Sequence, residues 1–145
     1  MPTIKNITTT KLTTIRPDQT LLEAAKMMAS NDIGFLPVVD NHTVRGVLTD
    51  RDIIVKGIAP QKDMKMKVEQ LMTKNPCCIE CNKSIEDAAR MMRDRQVRRL
   101  IVTENNKFMG VISLGDLARS THGKGNEKCV SDALHGISQQ RVGAQ

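Results

Sequence analysis

The chain has 145 residues, of which 39% are hydrophobic and 26% charged, the composition of one ordinary globular domain or two small ones. Its net charge of +6 is spread along the chain, and Phe35 and Phe108 are its only aromatic residues, so the stacking platforms of a single-strand nucleic-acid binder are missing. No apolar run approaches the ~20 residues of a membrane span, and Met1-Pro2-Thr3-Ile4-Lys5 lacks the basic-then-apolar order of a signal peptide, so a cytoplasmic protein away from membranes is expected.

The elements come twice in one order, displaced by a constant 64 positions: Ala24 and Met28 fall on Ala88 and Met92, Gly46 on Gly110, and Asp52 on Asp116. A unit this short buries too little surface alone and stacks on its copy. Each copy opens on a lead-in, with Ile4 and Ile7 matching Val68 and Leu71. A short strand follows around Thr13-Thr14-Ile15 and around Cys77-Cys78-Ile79. Helices then start at Thr20 and Ser84, where Thr20-x-x-Glu23 and Ser84-x-x-Asp87 have the form of capping boxes. Leu21, Ala24, Ala25 and Met28 make the buried stripe of the first helix, and Ile85, Ala88, Ala89 and Met92 that of the second.

A hairpin comes next in each copy, turning at Asp40-Asn41-His42-Thr43 and at Glu104-Asn105-Asn106-Lys107. Pro37 cannot donate to a ladder, so its nitrogen faces an edge or a bulge. Second helices begin after Thr49 and Ser113, and residues 59–67 form a polar, Lys-rich connector. The expected fold is α+β: two β-α-β-β-α repeats, residues 1–60 and 61–120, packed through their sheets with pseudo-two-fold symmetry. In the tail, residues 121–145, a loop is expected at 122–126. Val130, Ala133, Leu134 and Ile137 then give a short amphipathic helix that packs on the module, on a second subunit or on a partner.

Chemistry concentrates in Gly46-Val47-Leu48-Thr49-Asp50-Arg51-Asp52 and Gly110-Val111-Ile112-Ser113-Leu114-Gly115-Asp116. Both are strand ends running into helix starts. A hydroxyl followed three residues later by a carboxylate again fits a capping box. A short acid at a helix mouth can also accept two hydrogen bonds from the vicinal hydroxyls of a ribose, while the hydroxyl and helix N–H groups suit phosphate or sugar oxygens. Arg51 sits between the acids of its loop and can reach a phosphate. Alternation sends Arg98 and Arg99 to opposite faces of a strand. Cys78-Ile79-Glu80-Cys81 has C-x-x-C form, yet no second pair completes a zinc tetrad and it opens no helix, so reduced thiols without metal are expected. No nucleophile-base-acid set or Walker loop is present, and an enzyme is not expected.

Taken together, the doubled order, Leu36-Pro37-Val38-Val39-Asp40, Thr49-Asp50-Arg51-Asp52 and Val97-Arg98-Arg99-Leu100 resemble a tandem pair of CBS domains (cystathionine-β-synthase domains, a Bateman module), over roughly residues 1 to 120. The resemblance is to small stand-alone bacterial members. It implies a non-catalytic regulatory module that binds an adenosine compound (AMP, ADP, ATP or S-adenosylmethionine) in clefts between the repeats and requires no cofactor. It places the ribose on Asp52 or Asp116, the sugar or phosphate near Thr49 or Ser113, and the adenine along Thr14, Ile15, Cys78 and Ile79. Phosphate falls to Arg98 and Arg99, whose counterparts are Gly34 and Phe35, so the two copies differ. It further implies a homodimer through helix faces, acting on another protein. Two alternatives stand beside it: an interaction scaffold with empty clefts, and a basic nucleic-acid-associated regulator.

Overall fold

Asn41 and His42 both take positive φ (47° and 69°), as do Asn105 and Asn106 (54° and 65°). A pair of left-handed residues is what a two-residue hairpin turn needs, and Asn tolerates it. These turns close the two hairpins around which the chain is organised. The structure, a computed structural model, describes residues 2–121 and 127–143, so the loop expected at 122–126 lies outside the described residues. The chain forms two units, Leu12–Pro76 and, from two stretches, Met1–Lys11 with Cys77–Gln145.

In the Leu12–Pro76 unit, helix α1 (Leu21–Asn31) buries Leu21, Ala24 and Met28 against the hairpin of β1 (Phe35–Asp40) and β2 (Thr43–Thr49). Only half of the capping box expected at Thr20 forms. Thr20 Oγ1 accepts the Glu23 N–H at 3.2 Å, but the Glu23 carboxylate receives the Thr20 hydroxyl and the Gln19 amide. The connector supplies the rest, because the Met66 and Met64 carbonyls accept the N–H groups of Leu21 and Leu22 at 2.8 and 3.1 Å. Asp32 ends α1 in the left-handed region, and Ile33 N–H reaches back to Met28 O, the closing bond of a Schellman cap. Helix α2 (Asp50–Asp52) runs on as a π-helical segment, Ile53–Ile58, and the two-residue strand β3 (Thr73–Lys74) pairs with β2.

The second unit repeats the plan with β4 (Cys78–Glu80), helix α3 (Ile85–Arg95), β5 (Arg99–Glu104), β6 (Lys107–Ser113) and helix α4 (Leu114–Thr121), to which α5 (Glu127–Gly143) is added. Here the capping box, Ser84 with Asp87, is complete, and Ile85, Ala88, Ala89 and Met92 are all buried as expected. The fold is α+β, with three-stranded sheets β1-β2-β3 and β4-β5-β6. Among the described residues no helix is long and apolar enough to cross a membrane.

Two differences from the sequence expectation have clear causes. The strand expected around Ile15 is reduced to one parallel bridge, Ile15 to Val38, whereas its copy β4 pairs with β5 over three residues. The β4 ladder continues through Ile101 N–H to Cys77 O and Cys81 N–H to Thr103 O, both 2.9 Å. At the matching positions, 64 residues earlier, stand Pro37 and Pro17, which have no N–H to donate. The lead-ins are also exchanged. Ile4 lies in the core built on β4, β5 and α3, and Thr9 pairs with Val111 of β6. Val68 and Leu71 lie in the core built on α1, β1 and β2. The units are therefore out of phase with repeats drawn at 1–60 and 61–120.

Candidate functional site

The corner where β6 runs into α4 is assembled by backbone bonds. Arg99, the first residue of β5, lies in register opposite Ser113, and Leu114 N–H donates to Arg98 O at 2.8 Å. The Asp116 N–H donates to Ser113 Oγ at 3.1 Å, and the Ser113 N–H to Asp116 Oδ2 at 2.9 Å, a complete capping box. Arg119, one turn on, donates to Asp116 Oδ1. Asp116 therefore does the structural work that its spacing first suggests. Each carboxylate oxygen still carries a second acceptor position, and the Asp116 side chain is 18% exposed, so a sugar hydroxyl can reach it.

Arg98, Arg99 and Ser113, with Leu114, Gly115 and Ala118, line a cavity of about 520 Å³. That volume suits a small ligand. The alternation expected of the two arginines does not apply, because β5 begins only at Arg99 and Arg98 lies in the bend before it. Both reach the same cavity. Its remaining wall is α5, through Val130, Ser131 and Leu134. The apolar stripe read from the tail sequence included Val130 and Leu134, but nothing local marked them as site residues.

The matching corner of the other unit is different. Thr49 and Asp52 form the same box, at 3.1 and 3.0 Å. Asp52 is buried, and its Oδ1 is held by Lys56 Nζ at 3.1 Å, which in turn bonds the Leu71 carbonyl. Asp50, the counterpart of Leu114, donates its N–H to Gly34 O at 3.0 Å. Its carboxylate stands over Gly34, where an added Cβ would lie 2.6 Å from Oδ2. An acid thus occupies the place that a leucine and an arginine take in the second copy. Arg51 is exposed on the first turn, its N–H bonded to Asp50 Oδ1 at 2.8 Å.

The first-strand residues divide by facing. Ile15 and Ile79 point into the two hydrophobic cores, while Thr14 is half-buried and Cys78 exposed. Desolvation of the sulfur, with Cys77 and the Glu80 carboxylate close by, pushes the Cys78 thiol up. Burial and the Glu104 carboxylate do the same to Cys81. Among the described residues no group of His, Cys, Asp and Glu is placed to hold a metal ion.

Comparison with known proteins agrees with this architecture. The family model of the CBS domain matches residues 4–57 and 68–123. The CBS domain-containing protein YhcV of Bacillus subtilis is 37% identical over 142 residues, which is 98% of this chain and 99% of that protein. The solved structure of Hypoxic Response Protein I with two coordinated zinc ions superposes with a TM-score of 0.75 at 32% identity, covering 83% of this chain and 99% of that one. CBSX2 in complex with AMP superposes with a TM-score of 0.73 at 25% identity, covering 85% of this chain and 98% of that one.

Proposed function

Since the chain belongs to the CBS-domain family, as a tandem pair, we propose that it is a non-catalytic regulatory module that binds one adenosine-containing ligand at the corner of Ser113 and Asp116. The observation that carries this reading is the meeting of Arg98, Arg99 and Ser113 in one cavity, beside a carboxylate with acceptor capacity left. The ribose hydroxyls bond Asp116, the Ser113 hydroxyl and the α4 N–H groups take sugar or phosphate oxygens, and the arginines take the phosphate charge. Cys78 and Ile79, of the same unit, border the adenine through their strand backbone. The AMP held by CBSX2 supports the choice of an adenine nucleotide. Asp50 over Gly34 and the locked Asp52 argue against a second phosphate site at Thr49 and Arg51. The ligand regulates by favouring one arrangement of the protein over another, by no more than its differential affinity.

Thermal unfolding with AMP, ADP, ATP, S-adenosylmethionine and adenosine tests this. A ligand at 100 times its dissociation constant adds ~2.7 kcal/mol of stability. Asp116→Ala should abolish most of that gain and Asp52→Ala little of it; stabilisation that survives Asp116→Ala unchanged refutes the ribose assignment. Arg98→Ala should cost about 1.5–3 kcal/mol of phosphate binding.

The protein also pairs with itself through the face carrying Leu22, Ile54, Val55 and Ile58, all exposed apolar residues on two packed helical segments of one unit. Sedimentation should give a dimer for the native chain and a monomer for Ile54→Glu; a native monomer at micromolar concentration overturns the pairing.

A further inference from the structure

We infer that Gly115 and Arg119 complete the phosphate end of the site: a phosphate oxygen of the ligand seats over Gly115, between the Ser113 hydroxyl and the Arg119 guanidinium. This rests on the nucleotide reading above and deepens it. Gly115 lines the cavity, and a Cβ built on it would lie 3.4 Å from Arg119 Nη1 and 3.7 Å from Ser113 Oγ. These are ordinary contact distances, so the space over Gly115 is open, with a cation on one side and a hydroxyl on the other.

Both neighbours are held ready for an anion. Ser113 Oγ accepts the Asp116 N–H, and its own O–H is left to donate. Arg119 bonds Asp116 Oδ1 through Nη2, which keeps Nη1 on the Gly115 side. The Arg119 side chain is 74% exposed, and a pair this exposed adds little stability. Its consequence is the aim of the guanidinium, since a side chain already in place loses less freedom on binding. Nη1 carries two N–H groups, suited to a charge-assisted bond with phosphate. Asp116 thus serves the ligand twice, through the ribose and through the arginine it orients. The first unit has Arg51 and Val55 at the matching positions, so neither the open space nor the guanidinium is repeated there.

The test is calorimetric titration of adenosine and AMP into native protein, Arg119→Ala and Gly115→Ala, with thermal unfolding of each protein without ligand. The added methyl of Gly115→Ala meets nothing closer than 3.4 Å, and Ala is the better helix former, so this variant should unfold at no lower temperature than native protein. Native protein should bind AMP more tightly than adenosine. Arg119→Ala should weaken AMP by about tenfold or more, the worth of one charge-assisted hydrogen bond, and leave adenosine unchanged. Gly115→Ala should also weaken AMP and spare adenosine, by filling the phosphate's space. Equal losses for AMP and adenosine in Arg119→Ala would show that Arg119 only orients Asp116, and would overturn the phosphate seat. AMP binding indifferent to both variants, or native protein that does not distinguish AMP from adenosine, overturns it while leaving the nucleoside site standing. Absence of binding by both ligands overturns both readings.

Discussion

Gly46 and Gly110 are repeated because of what crosses them. A Cβ on Gly46 would sit 2.6 Å from the Thr73 carbonyl, and one on Gly110 would collide with the Thr9 carbonyl. These are backbone atoms of the exchanged lead-ins, which cannot swing aside. Gly110→Ala should therefore destabilise by about 1–3 kcal/mol, the cost of overpacking, in chemical denaturation; a neutral result would mean that the Thr9 segment is not seated on β6. The sequence shows these glycines as the head of a motif, but their reason lies in a segment about a hundred residues away for Gly110. Pro17 and Pro37 are the opposite case. Their missing donors are local facts, and the shortened Ile15 strand follows from them directly. Asp116 lies between: its capping role is legible from spacing, whereas the second acceptor position beside Arg119 depends on geometry.

Among the elements, those set by short-range chemistry were the most legible. The two capped helices, the Asn turns and the β-α-β-β-α order all follow from patterns within a dozen residues. What a segment covers is less local. The connector at 59–67 reads as a polar spacer, yet its carbonyls cap α1. The lead-in carrying Ile4 is held by the Ile4 N–H bond to Lys83 O at 2.9 Å and by the pair of Lys5 Nζ with Glu104 at 2.8 Å. Glu104 holds the Lys5 ammonium up, and Lys5 holds the Glu104 carboxyl down, as expected of an exposed and individually weak pair. The buried Ile4 does most of the anchoring. Ile4→Ala should cost about 2–5 kcal/mol, and hydrogen exchange should quicken in β4, α3 and β5 while α1 and β1 stay protected. Faster exchange confined to α1 would show that the lead-in serves its own repeat instead.

For the whole molecule, the 64-residue repeat made the family and fold legible, since the elements before the tail have counterparts at one offset. It could not show which repeat completes which core, because Ile4 and Val68 are equally apolar and either core accepts them. The same ambiguity hid α5, whose stripe suits a core, a subunit or a site. The exchanged lead-ins also set where this polypeptide can be divided. Cutting it at residue 60 would leave each piece with a plug made for its sibling and a socket without one. Two such pieces could be whole only by trading ends, as strand-swapped subunits do. The tandem chain is then a swapped pair made permanent by a peptide link, and its halves are obliged to share one lifetime.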